Sequence, residues 1–259
     1  MVREAMGKHY LGMNKEFRFR GEEPGRLENF SDAVFALAIT LLLISTSAPT
    51  NLEQIKRFAW ELIPFCACIV LIVLIWHEHF VFYYRYGLRN TKVVVLNTIF
   101  LIIVLFYVYP LRFLWKFLLL NPLARVFNQD DILKELSQMA NAGDTSALMI
   151  IYGLGAASIF LILMLMYRYA LKNAQFLQLS PIEKFDTRTS MISNFLMATV
   201  PILSVILAFL FRNNPWGGMI SGFSYFLYVP LMFTFSARRM KQRKSILEEH
   251  SLLTEASSA

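Results

Sequence analysis

The sequence predicts an all-α integral membrane protein with six transmembrane helices per chain and both termini in the cytoplasm. Three observations carry this expectation. Of the 259 residues, 56% are hydrophobic and 17% charged, against about 25% charged in a soluble domain. The apolar residues, 23 phenylalanines among them, fall into runs long enough to cross a bilayer. Lysine and arginine are spread unevenly over the segments between those runs.

A spanning helix needs roughly 20 apolar residues, and the chain offers runs at about 30–48, 58–84, 93–117, 146–167, 190–211 and 216–237. The first run is the shortest and the most polar at its start, "RLENFSDAVFALAIT" at 26–40. Its "STSA" at 45–48 faintly resembles a signal-peptide cleavage site, but Pro49 follows, and the segment before the run is long and contains several acids. A secretory signal has a compact basic start, so the run is expected to remain as a helix. Residues 1–25 read as a mobile cytoplasmic tail, 26–237 as the six-helix transmembrane domain and 238–259 as a cytoplasmic tail with a short helix over 238–255. The 118–145 connection, with Asn121-Pro122 and Asp130-Asp131, reads as an extracytoplasmic loop with one short helix.

Orientation follows from the basic residues, which favour the cytoplasmic side. The N-terminal segment, the turn after the second run, the segment after the fourth and the C-terminal tail together hold 18 of the 25 lysines and arginines. They alternate with poorer segments, which requires an even number of crossings and so supports counting the first run.

The net charge of +7 does not point to nucleic acid, because the basic residues form no continuous face with interleaved aromatics. Cys66 and Cys68 lie two apart in an apolar run, so a helix turns them in different directions and no disulfide is expected. His77 and His79 are about 200° apart on a helix and cannot grip one metal ion together. Small residues recur at four-residue spacing at Gly153 and Ala157, and at Gly218 and Gly222; they are read as close helix packing.

On a helical wheel with Leu37 at zero, Ala33 and Leu41 fall about 40° away, Ile44 about 20° and Thr40 about 60°. Ser31 and Asp32 fall about 120° and 140° away, on opposite flanks. One face is thus an apolar file edged by Thr40, and the polar pair turns toward the helices behind. An aspartate within a span is costly and asks for partners. By depth, these are His79 late in the second run and Asn97 early in the third. A cluster of Ser31, Asp32, His79 and Asn97 with Arg26 nearby is expected, and Asp32→Ala is expected to damage folding or assembly.

The stretch "RLENFSD", with Arg26, Phe30, Ser31 and Asp32, resembles the signature of the transmembrane protein 175 family, lysosomal potassium channels and their prokaryotic relatives. The resemblance continues through "WHEHFVFYYRYGLRNTKVVVLN" at 76–97, where Trp76, His79 and Asn97 match. It departs at Asn90, where the family commonly has an aspartate, and at Pro110, which closes the third run a residue or two late. The resemblance implies six helices with no re-entrant pore loop. It also implies assembly of a single-repeat chain as a homotetramer in a prokaryotic plasma membrane, with the first helices lining the pore. It assigns the hydrophobic constriction, or gate, to Leu37, Leu41 and Ile44, and a role in potassium preference to Thr40. It implies potassium as the permeant ion; no cofactor, resident metal or nucleic-acid partner is expected.

The Thr-Val-Gly-Tyr-Gly potassium filter is absent, and no run has arginine at every third position as a voltage sensor would. A secondary transporter of a small ion or solute is the alternative. Such folds bind substrate at broken helices near mid-membrane, and Pro64, Pro110, Pro201 and Pro230 mark the possible breaks. None of them has a charged residue beside it at mid-span. A membrane enzyme would need a converging nucleophile, base or metal set, which the polar residues do not form.

Overall fold

Every regular element of the chain is helical in the computed structural model, which describes residues 17–44, 50–139, 142–214 and 217–258. The helices are α1 (Arg26–Ile44), α2 (Leu52–Tyr86), α3 (Thr91–Val126), α4 (Asp130–Met139), α5 (Ala142–Lys172) and α6 (Pro181–Leu210). They are followed by α7 (Gly217–Phe223), a 3₁₀ turn (Ser224–Leu227) and α8 (Tyr228–Ser258). Five stretches are long and apolar enough to cross a membrane: Leu52–Tyr86, Thr91–Val126, Thr145–Lys172, Pro181–Leu210 and Gly217–Glu248. The helix α1 stands outside that set, with 19 residues that include Arg26, Glu28 and Asp32.

Local chemistry sets the helix ends. Asn51 caps α2 by accepting from the Gln54 amide, and Asn90 caps α3 by accepting from the Val93 amide. Thus Asn90 keeps the capping chemistry an aspartate would supply. Ser180 and Glu183 form a reciprocal capping box at the start of α6, with Pro181 in the first turn.

Two expectations change. The third run does not close at Pro110: α3 continues through Pro110 and Pro122 to Val126, so much of the anticipated loop is helix and only α4 stands apart from it. Proline is tolerated within membrane helices because neighbouring groups re-satisfy the backbone it frees. The last run is not one helix. Pro230 lacks an amide hydrogen and its ring crowds the carbonyl of residue i−4, and the chain just before it takes the tighter 3₁₀ path. Side chains stitch this break: Ser204 and Ser224 donate to the Ser221 carbonyl, and Tyr228 donates to the Met197 carbonyl. Beyond the break α8 runs without interruption into the C-terminal segment, so the short tail helix is the end of the last membrane helix.

The tightest pair is α5 against α6. A Cβ at Gly153 would meet Val205 Cγ2 at 2.5 Å and the Pro201 carbonyl oxygen at 2.9 Å. Cys66 is exposed and Cys68 buried, both as free thiols. Large apolar side chains such as Phe106, Val229 and Phe233 face outward, as a lipid solvent allows.

Residues 17–25 are not a loose tail but a strap laid across one end of the bundle. Phe17 is in the core, edge-on to Tyr86 at 5.7 Å, with the Arg85 guanidinium 5.1 Å above its ring. Arg20 pairs with Glu183, and the Gly21 amide donates to the Tyr84 carbonyl. The strap crosses α2 where Gly87 takes φ 58° to end that helix. A Cβ on Gly21 would strike the Tyr83 carbonyl oxygen, and one on Gly87 would lie 2.6 Å from the Arg20 carbonyl oxygen.

Candidate functional site on the first helix

The helix α1 packs on α2 and α3 with one face and leaves the other open. Ser31, Val34, Phe35, Ala38 and Leu42 are buried, following the three- and four-residue steps of a helix stripe. The opposite stripe, Phe30, Ala33, Leu37 and Thr40, is exposed; Leu37 is 49% exposed and Phe30 61%. Leu41 is half-buried on the flank, and the Ile44 side chain lies outside the described residues. Of the file read on the wheel, Ala33 and Leu37, with Thr40 at the edge, lie on the uncovered face of α1 in the isolated chain.

Thr40 is polar on this face, but its proton is committed. Its hydroxyl donates to the Ala36 carbonyl at 2.9 Å, the common i−4 back-bond of helical threonine. The oxygen's remaining lone pairs are left on the exposed side, where they can face a cation.

Behind α1 runs a directional chain of hydrogen bonds. Asn97 is an amide whose oxygen only accepts, so His79 Nε2 donates to Asn97 Oδ1 at 2.6 Å. Asn97 Nδ2 donates to Ser31 Oγ at 2.9 Å, and Ser31 Oγ donates to the Leu27 carbonyl at 2.8 Å. All three residues are buried. The chain joins α2, α3 and α1 at one depth, and its last proton ends on a helix carbonyl. The His79 ring stacks on Phe100 at 5.3 Å and meets Phe35 at 5.7 Å.

Asp32 and Arg26 are placed differently from the expected cluster. Asp32 lies on the neighbouring flank and accepts from Trp76 Nε1 at 2.8 Å, outside the chain of Ser31, Asn97 and His79. Arg26 is exposed at the first turn and takes no part in that chain. The basic residue beside this turn is Arg89, which pairs with the buried Glu28 at 3.1 Å. His77 points away from His79, with its Nε2 buried and unpartnered.

The far end of α1 is held by residues that the sequence did not single out. Arg112 of α3 donates to the Leu42 carbonyl at 3.0 Å and to Glu61 of α2 at 2.9 Å. Lys116 bridges Glu61 and Glu135 at 3.0 and 2.8 Å. These four charged residues scatter over 75 positions of sequence in apolar or loop segments, and no short spacing announces them.

Comparison with known proteins agrees with this geometry. The model of the endosomal/lysosomal potassium channel TMEM175 family matches residues 26–107, which hold α1, α2 and the first part of α3. A protein of Marivirga tractuosa named a potassium channel is 41% identical over 245 residues, covering 92% of this chain and 97% of its own. A crystal structure of a variant of the potassium channel MtTMEM175, bound to a nanobody–MBP fusion protein, is 42% identical. It covers 89% of this chain and 100% of its own, with a TM-score of 0.79. With the fold shared over nearly the whole length and relatives above 40% identity, the chain belongs to the TMEM175 family.

Proposed function

We propose that this multi-pass membrane protein is a potassium-selective cation channel, a homotetramer whose pore is lined by α1. Leu37, Leu41 and Ile44 would form its hydrophobic constriction, and Thr40 would contribute oxygen ligands to the permeating potassium ion. The observation that carries the reading is the split of α1 into two faces. One face is tied to α2 and α3 by the Ser31–Asn97–His79 chain, and the other leaves Leu37 and Thr40 uncovered. A ring of leucines in a pore excludes water and so blocks ions by dewetting. The names of the near-full-length relatives supply the choice of potassium.

Six crossings are part of the reading. The start of α1 sits by the α2–α3 turn through Glu28 and Arg89, and its end sits by Glu61 and Arg112. Its 19 residues thus run along α2 from the α2–α3 turn to the level of Glu61, about 28 Å, close to the thickness of a bilayer's hydrocarbon core. The end holding Arg20, Arg89 and Arg243 is rich in basic residues, which supports cytoplasmic termini in a prokaryotic inner membrane. Residues 1–25 and 238–259 would then flank the channel domain on the cytoplasmic side. The family is one of channels, and the chain is not an enzyme.

Single-channel recording of the purified protein in planar bilayers, under opposed potassium and sodium gradients, tests the proposal. Discrete openings that reverse near the potassium limit, with conductance or selectivity altered in Leu37→Ala and Thr40→Ala, are the expected result. Silent bilayers combined with substrate-saturable flux in liposomes would instead make the protein a transporter.

A further inference from the structure

A second site lies on the outer side of the bundle, where α3 begins and α5 ends. Tyr169 of α5 joins the two helices there. Its hydroxyl accepts from Asn90 Nδ2 at 2.7 Å, and the Lys92 ammonium lies 5.9 Å from its ring centroid. Arg168 adjoins Tyr169 in sequence, and Lys172 follows within one helical turn. Lys92, Arg168 and Lys172 are all exposed. Three cations thus group around one tyrosine at the ends of two stretches long enough to span a membrane.

These cations lack counter-charges. No aspartate or glutamate occurs between Glu78 and Asp130, or between Asp144 and Glu183. So α3 carries no carboxylate, and α5 has only Asp144, in its first turn at the far end. The acids at the start of α6 are engaged elsewhere, Glu183 by Arg20 and Asp186 by Arg243. Among the described residues none forms an ion pair with Lys92, Arg168 or Lys172.

Deeper in the membrane the wall turns apolar. On α3, Lys92, Ile99 and Phe106 follow seven-residue steps, so they share one face to within about 20° per step. Ile99 and Phe106 are exposed. On α5, Lys172, Leu165 and Leu154 share a face in the same way, and both leucines are exposed. Gly155 lies against the Tyr107 ring, so the two helices stay side by side along these stripes. A ligand that meets both parts needs an anionic head and an apolar tail. A soluble anion would leave the stripes unused, and a zwitterionic headgroup would bring its own cation against three others. Arginine and lysine bind phosphate oxygens through charge-assisted bonds, and basic pockets between membrane helices hold anionic headgroups. We propose that the outer groove between α3 and α5 binds an anionic phospholipid. Its headgroup phosphate is held by Lys92, Arg168 and Lys172, and an acyl chain lies between the two stripes. Because α3 also holds α1 through Asn97, the lipid braces the helix that positions α1. The site goes beyond the channel reading and stands whether or not the pore runs along α1.

The test is native mass spectrometry of the full-length protein in detergent, titrated with dioleoyl phosphatidylglycerol or with dioleoyl phosphatidylcholine, which has the same chains and no net charge. Phosphatidylglycerol is expected to bind at least about tenfold more tightly, and excess glycerol phosphate, the headgroup without chains, is expected not to displace it. Lys92→Gln and Lys172→Gln, both at exposed positions, are each expected to weaken phosphatidylglycerol binding about fivefold, as loss of one basic residue at an anionic lipid does. Both should leave phosphatidylcholine binding unchanged. Lys241→Gln, an exposed cation on α8, is expected to change neither. Equal affinity for the two lipids, or binding insensitive to both groove variants, would overturn the proposal. So would equal weakening by Lys241→Gln, which would make the effect one of general basic charge, and displacement by glycerol phosphate, which would make the site one for a soluble anion.

Discussion

Arg112 Nη1 donates to the carbonyl oxygen of Leu42 at 3.0 Å, reaching from α3 to α1. That carbonyl lies in the last turn of α1. The same guanidinium holds Glu61, so one planar group joins α1, α2 and α3 at the end opposite the strap. Arg112→Ala is expected to lower the stability of the purified protein by about 1–3 kcal/mol, because a half-buried carboxylate and a helix carbonyl both lose a donor. Arg112→Lys should recover only part of this, since a point charge cannot serve both acceptors as the fork does. Thermal unfolding in detergent, monitored by size-exclusion of the heated protein, reads the order wild type, Lys, Ala. Equal melting temperatures would remove Arg112 from this role.

Asn97 is the middle of a three-residue chain, so its loss disturbs both neighbours. In Asn97→Ala the buried His79 Nε2 has no acceptor and Ser31 loses its donor. Pairwise couplings between membrane helices average about 0.6 kcal/mol, and a double-mutant cycle of Asn97→Ala with Ser31→Ala should return a value near that. The single Asn97→Ala change should cost more, about 1–3 kcal/mol, because it leaves a buried polar group unsatisfied. Additive effects of the two substitutions would mean that the Ser31–Asn97 contact carries no coupling.

Depth along the runs was enough to bring Ser31, His79 and Asn97 to one place, because helices of known direction cross the bilayer at a fixed rise per residue. Depth alone does not resolve rotation, and this is why Asp32 turns to Trp76 instead of joining that chain. The periodicity of α1 showed which face carries Leu37 and Thr40, since burial follows the same wheel. The strap was not legible. Its contacts span more than 150 positions from Arg20 to Glu183, and a short charged segment with two phenylalanines has no periodicity to read. The continuation of α3 past residue 117, through Pro122 to Val126, was missed because proline stops helices in water more firmly than in lipid.

Glu183 carries the strap. Its side chain is 3% exposed and accepts from Arg20 Nη1, Arg20 Nη2, the Arg18 amide and the Ser180 amide. Arg20→Ala withdraws the charged donors that Glu183 has among the described residues and leaves a carboxylate that burial disfavours. The strap is then expected to detach locally while the bundle stays folded, since such segments open at lower free energy than the core. Chymotrypsin cleavage at Phe17 and Phe19 should accelerate on the order of tenfold or more, following the open population. Unchanged cleavage would show that Phe17 packing alone holds the segment.

Leu37 and Thr40 offer the sharpest contrast on one helix face, because they act by different physics. If Leu37 rings the pore, its effect is to keep water out, so Leu37→Asn should wet the constriction and raise open probability without a stable closed level. The substitution keeps the side chain's approximate size, which separates wetting from widening. Thr40 acts through an oxygen whose proton is already given to Ala36, leaving lone pairs outward. Thr40→Ala removes that oxygen from each subunit and keeps the backbone, while Thr40→Ser keeps the oxygen. A difference of about 1.4 kcal/mol between the potassium and sodium barriers is tenfold in permeability ratio. Thr40→Ala is therefore expected to lower the ratio about tenfold, with Thr40→Ser close to wild type, as read from reversal potentials. Should serine and alanine shift the reversal potential alike, the hydroxyl oxygen is not the ligand, and the apolar ring alone sets the preference.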